Sequence, residues 1–199
     1  MAGTGTAYSA AKIHQGPGDL WIIGGGVVDS ATPQLTIGTD GTPDATAHPA
    51  SVHLGYTESA IAMAYTPKLV DITADQAPAP IARYGEAEKM ALSAEVKQLD
   101  LVMLQSCAGM GVYSTASGYD QLTIGGITAV PSVCVALIAP KRGAAGKYIV
   151  VILFAATGQV GLGFSAGRAK SSFNKVEFEG LADPTRVAGR QIGVVYITK

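Results

Sequence analysis

"EAEKMALSAEVKQLDLVMLQSCAG", residues 86–109, admits two secondary structures, and the choice between them decides the fold class. Local propensity favours a helix, because Ala, Glu, Lys, Met, Leu and Gln dominate and no Pro interrupts them. Leu92, Val96, Leu99 and Met103 add an apolar stripe at three- and four-residue spacing. Against this, Met90, Leu92, Ala94 and Val96 alternate with Lys89, Ala91, Ser93, Glu95 and Lys97, the period of a half-buried strand. Both templates fit the first half, and only the helical one continues from Gln98.

The surrounding chain favours a split. "DLWII" reads as a short strand anchored by Trp21; Val52, Leu54 and Tyr56 alternate, as do Ile61, Met63 and Tyr65, and "KLVDI" continues after Pro67. Further on, "QLTIGG", "SVCVALIAP", "YIVVILFAAT", the alternating "SSFNKVEFEGL" and the last "QIGVVYIT" are strand-like, separated by turn signals such as "KRGAAGK" and "DPTRVAGR". In such a chain the disputed stretch reads as strand to about Lys97, then a short helix from about 98 to 108 closed by Gly109 in the left-handed conformation. That helix would plug one end of a sheet with Leu101, Val102 and Leu104. The expected fold is mainly β: a β-sandwich or half-barrel of about eight or more strands with one flanking helix. The whole of 1–199 reads as a single domain, with a flexible arm at 1–14 and long loops at 24–50, interrupted only by "QLTI", and at 74–86.

Composition narrows the function. Only 15% of residues are charged, against 48% hydrophobic, with 25 Gly. A dispersed monomer needs a more charged surface than this, so subunit contacts are expected to cover much of it. A net charge of −1 gives no electrostatic reason to expect nucleic-acid affinity. Cys107 and Cys134 make no disulfide framework and read as small buried apolar residues. "MAGTGTAYSAAKIHQGPG" lacks the basic start and apolar core of a signal peptide, which points to assembly in a cytoplasm. Residues 148–167 carry no charge and are long enough to cross a bilayer. Thr157-Gly158-Gln159 interrupts them, and two buried strands joined by a turn fit better than a membrane span.

Catalytic constellations are not legible. Gly161-Leu162-Gly163-Phe164-Ser165-Ala166 matches a loose dinucleotide fingerprint, but no amphipathic helix follows and too little chain remains for a βαβ unit. "GAAGK", ending at Lys147, lacks the first glycine and the Ser/Thr of a phosphate loop. His14, His48 and His53 have no Cys or further ligand at metal-site spacing. Glu86, Glu88, Glu95 and Asp100 read as one solvated acidic face rather than an acid/base pair. The expectation is no enzyme, no cofactor and no metal.

Three features carry a family resemblance: the strand that runs into a short helix ("AEVKQLDLVMLQSCAG"), the long loop before it ("ADQAPAPIARYGE"), and the closing "SSFNKVEFEGLADPTRVAGRQIGVVYI". With "IHQGPGDLWII", "VHLGYTE" and "KLVDITADQ", the chain from Ile13 onward resembles the tail tube, or major tail, proteins of long-tailed bacteriophages. The resemblance implies hexameric rings whose inner sheets join into one β-barrel and stack into a hollow tube. Through that tube the genome passes without specific binding. The partners implied are further copies of the chain and other tail proteins (tape measure, tail tip, terminator); the place is the virion tail, assembled in the host cytoplasm, without membrane insertion. Gln76, Pro78, Pro80, Arg83 and Tyr84 would contact neighbouring subunits or rings, and Glu86, Glu88 and Glu95 would face the lumen, where like charge repels phosphate. Other virion parts, such as a capsid decoration or a head–tail connector, and a β-sandwich ligand-binding module are the alternatives. The ligand module is disfavoured by an aromatic content of only 7%.

Overall fold

The computed structural model describes residues 18–24, 35–55, 57, 60–73, 79–97, 101–102, 105, 111–125, 131–141, 143–161 and 174–198. These form ten strands: β1 (Asp19–Ile23), β2 (Val52–His53), β3 (Ala62–Ile72), β4 (Ala82–Val96), β5 (Val112–Ala116), β6 (Tyr119–Thr123), β7 (Ser132–Pro140), β8 (Tyr148–Gly161), β9 (Asn174–Leu181) and β10 (Gly193–Ile197). The pairs are antiparallel.

Eight strands make one sheet in the order β2-β1-β7-β8-β9-β4-β3, with β10 pairing the first half of β8. The second half of β8 pairs β9, so the sheet forks along one strand. β5 and β6 form a separate two-stranded hairpin. The chain is therefore mainly β, as its strand signals indicate, but the described strands do not divide into two large facing sheets.

The sheet is curled. In a flat sheet β2 and β4 would stand five inter-strand steps, about 24 Å, apart. Yet Thr57, four residues after the end of β2, bridges to Val96 of β4, and four residues reach at most about 14 Å. One face of the curl gathers Leu20, Ile22, Leu54, Met90, Leu92, Val96, Val135, Leu153, Val176 and Phe178 into the main core. The other face of β1, β7 and β8 buries Ile23, Ala136, Ile138, Val150, Ile152 and Phe154 with Leu35. Strands apolar on both sides follow from this: "VVILF" in β8 serves two cores.

Several expectations are corrected. β4 ends at Val96, near the expected limit, but it begins at Ala82, so the loop expected over 74–86 ends earlier. The short helix at about 98–108 is not seen as an element. Leu101, Val102 and Gln105 have helical backbone, and the rest of that stretch lies outside the described residues. β8 runs straight through Thr157-Gly158-Gln159 where a turn was expected; Gly158 is buried in register with Phe178, a place where a missing side chain is an advantage. Pro67 does not divide β3, because an edge strand has ladder positions that need no N–H. In "QLTI" the described residues 35–37 form no strand and pair through the bridge Ile37–Pro43. Residues 35–50 fold back on themselves as a cap over the second core. There Asp44 Oδ1 accepts the N–H groups of Thr46 and Ala47, which hold its carboxyl below the usual range. The Leu35 N–H donates to the Tyr196 hydroxyl at 2.7 Å.

The 182–192 loop is pinned where β8 forks. Arg186 is buried, its guanidinium lies 3.5 Å from the centre of the Phe154 ring, and its Nε donates to Asp183 Oδ2 at 3.0 Å. Two bonds from Thr185 first, then Arg186, keep the Asp183 carboxyl below its ordinary range. Arg186→Met fills the same space but strands part of that carboxylate. The expected loss is about 2 kcal/mol, a fall of roughly 4–8 °C in Tm by calorimetry. An unchanged Tm would show that the pin is dispensable.

Candidate functional site

The residues with the most unusual surroundings lie on the β3–β4 hairpin. β4 pairs β9 only from Ala91 to Val96, whereas its pairing with β3 continues down to Ala82. Residues 66–72 and 82–89 therefore leave the sheet as a two-stranded arm. Among the described residues β3 closes the strand order, so its outer edge has no partner strand there, and along the arm β4 has no second partner strand either. Apart from the half-buried Val70, the arm residues are exposed.

Register assigns the two faces. Met63, Tyr65, Pro67, Leu69 and Asp71 share one face with Leu92, Met90, Glu88, Gly85 and Arg83. This face continues the main core outward: Leu92 and Met90 are buried, but Met63, Tyr65 and Leu69 are 45%, 52% and 52% exposed. An apolar stripe thus runs from the core onto the arm and loses its cover there. The opposite face differs in kind. Across four strands, the row Ala64–Ala91–Glu179–Thr157 lies beside Ala62–Ser93–Glu177–Gln159, with Thr66–Lys89 and Glu95–Lys175 flanking them. No side chain on those rows is both apolar and larger than alanine.

A β-bulge separates the arm's outer half. Between Lys68 and Leu69 the register shifts, and Glu86 is the extra residue on β4. Its carboxylate meets Lys68 Nζ at 2.5 Å. Farther out, Asp71 forms an ion pair with Arg83, whose hydrogen bonds hold the Asp71 carboxyl below its ordinary range. Nearer the sheet, Lys89 Nζ donates to Glu179 at 2.8 Å, which raises the ammonium above its ordinary value. Counting the polar face with the bulge, four carboxylates (Glu86, Glu95, Glu177, Glu179) face three lysines (Lys68, Lys89, Lys175). The charges are largely matched before any partner arrives.

Of the residues singled out from sequence, Gln76 and Pro78 lie outside the described residues. Pro80, Arg83 and Tyr84 are exposed near the arm's end, but Arg83 and Tyr84 point to opposite faces, so they do not form one contact pair. Glu86, Glu88 and Glu95 do not form one row. Glu95 lies on the polar face, Glu86 sits in the bulge against Lys68, and Glu88 lies on the apolar face, where its carboxylate adds to partial desolvation in raising the Tyr65 phenol. Sequence reading missed Met63, Tyr65 and Leu69 as surface residues: their alternation is the ordinary signal for a buried strand face.

Other chemistry is sparse among the described residues. No three His, Cys, Asp or Glu gather as metal ligands there, and no helix there is long and apolar enough to cross a membrane. Cys134 is half-buried, and desolvation pushes its thiol up to about 11 and leaves it little thiolate for reaction. The chain matches no model of a known protein family, and no curated protein is similar enough to count as a relative.

Proposed function

We propose that this chain is a structural, non-catalytic subunit of a bacteriophage tail tube. The observation that carries the reading is the arm: a projecting hairpin whose two edges have no partner strand among the described residues, with an uncovered apolar stripe, in a chain with only 15% charged residues. Edges and stripes of this kind invite aggregation unless an assembly occupies them. In this reading the curled sheet is the half-barrel of one subunit, and neighbours in a hexameric ring continue it. Stacked rings make the tube, with the arms reaching the next ring.

The small, polar, charge-matched face suits a lumen wall. DNA moving past the rows that hold Glu177 and Glu179 meets no apolar side chain larger than alanine, with the exposed Leu181, Ile72 and Tyr84 of the same face lying beyond them, and the lysines that would bind phosphate are engaged by carboxylates. Tape measure, tip and terminator proteins are the further partners implied.

The test is negative-stain electron microscopy of the purified protein over a concentration series. Hollow rings or tubes of uniform width are the expected result. A dispersed monomer at the highest concentration would overturn self-assembly and favour a virion part that forms only on a partner, or a binding module.

A further inference from the structure

His48 braces the cap formed by residues 35–50, and its surroundings bear on pH. The side chain is buried, with the residue 6% exposed. Nε2 accepts the backbone N–H of Thr36 at 3.2 Å, so the ring proton of the neutral imidazole sits on Nδ1. Nδ1 is itself buried and has no hydrogen-bond partner among the described residues. The His48 backbone adds two ties: its N–H donates to Asp44 at 2.8 Å, and its carbonyl accepts the Ser51 hydroxyl at 2.9 Å. The Ser51 oxygen accepts the Gly24 N–H at 3.2 Å, which fixes this end of the cap to the end of β1. Thr36, at the other end, follows Leu35, whose side chain is buried in the second core. The imidazole is thus the cross-brace between the two ends of the cap.

We propose that the cap is acid-released: protonation of His48 turns Nε2 from acceptor into donor, sets it against the Thr36 N–H, and frees residues 35–48 from the apolar face beneath. An imidazolium here has no second acceptor waiting, because both ring nitrogens would then be donors in a buried place. The charged group acting on the ring among the described residues is Asp44, whose carboxylate partly offsets the effect of burial. Asp40, elsewhere in the cap, is engaged by Thr42. The strands beneath contribute Cys134, Tyr148 and Tyr196 to this core, a thiol and two phenols, and burial raises the Cys134 thiol and the Tyr196 phenol above their ordinary values.

The direction follows from linkage. Burial lowers the folded-state value of His48 below the ordinary 6.5. Above 6.5 both folded and unfolded chains hold a neutral ring, and the brace is intact. As pH falls below 6.5 the unfolded or released form takes up a proton that the closed cap does not. The stability of the cap therefore declines until pH passes the folded value.

The test is amide exchange followed by NMR on the full chain between pH 7.5 and 5.0, each rate divided by its intrinsic rate at that pH. Protection of the Thr36, Gly38 and Asp44 amides is expected to fall several-fold, while amides between β7 and β8 hold. His48→Gln, whose Oε1 accepts the same N–H and does not titrate, is expected to keep protection constant. Unchanged protection in the wild type, or an equal loss in His48→Gln, would overturn the proposal. Should the variant fail to fold, the ring resonances of the wild type decide. A midpoint below 6.5 supports the brace, and one at or above 6.5 removes it.

Discussion

Phe178→Ala is expected to cost about 3–5 kcal/mol, the largest loss from any single truncation among the described residues. Phe178 is the largest fully buried side chain among the described residues, and it stands where β4, β9 and β8 pair in succession. On one side its register partner is Leu92 of β4, which carries the arm; on the other it is Gly158 of β8, which offers no side chain to close over a vacancy. The site therefore collapses poorly, and cavity cost adds to lost burial. Against a typical total of roughly 5–15 kcal/mol, such a loss brings the chain close to unfolding. In a calorimeter Tm should drop by roughly 10 °C. Glu177→Ala, one residue away on the opposite face, should move it by about a degree. If both variants melt alike, the assignment of faces in β9 is wrong.

The second large effect concerns association, not stability. Tyr65→Lys combined with Leu69→Lys places two charges on the uncovered stripe of the arm. In the isolated chain both side chains are half exposed, so the monomer should melt within a degree or two of the parent. If copies of the chain cover that stripe, burying two unpaired ammonium groups is prohibitive, and sedimentation velocity should show the larger species lost. Assembly that survives the double substitution would mean that copies meet elsewhere. Thr66→Lys on the polar face provides the contrast: it leaves the stripe intact and should leave association through that stripe intact.

How far the sequence could be read depends on which physical signal each segment carries. The end of the strand at Val96 was legible because alternation stops there while helical spacing continues. Its beginning was not. Pro78 and Pro80 constrain only their own neighbourhoods, so Ala82 is free to enter a ladder, yet the prolines made 74–86 look like a single loop. The glycine in Thr157-Gly158-Gln159 looked like punctuation, whereas it lies buried within a continuous strand, in register with Phe178. The bulge at Glu86 leaves no sequence trace at all, and it separates Glu86 from Glu88, whereas Glu95, seven residues from Glu88, falls on the opposite face by alternation alone. Alternation at Met63, Tyr65 and Leu69 correctly gave a face, but no local pattern says whether a face is covered. His48 looked like an isolated loop histidine, and only tertiary contact reveals it as a brace.

The unbroken run of β4 from Val96 to Ala82 has a mechanical consequence. A tug on the outer hairpin travels down one continuous backbone into six residue pairs with β9, loading their hydrogen bonds together in shear instead of peeling them one after another. The mount is accordingly stiff, and compliance concentrates at the extra residue, Glu86, where the ladder is already interrupted. The hairpin behaves as a rigid lever with a single soft joint two-thirds of the way along β4, so force applied at its tip bends the joint before it disturbs the core.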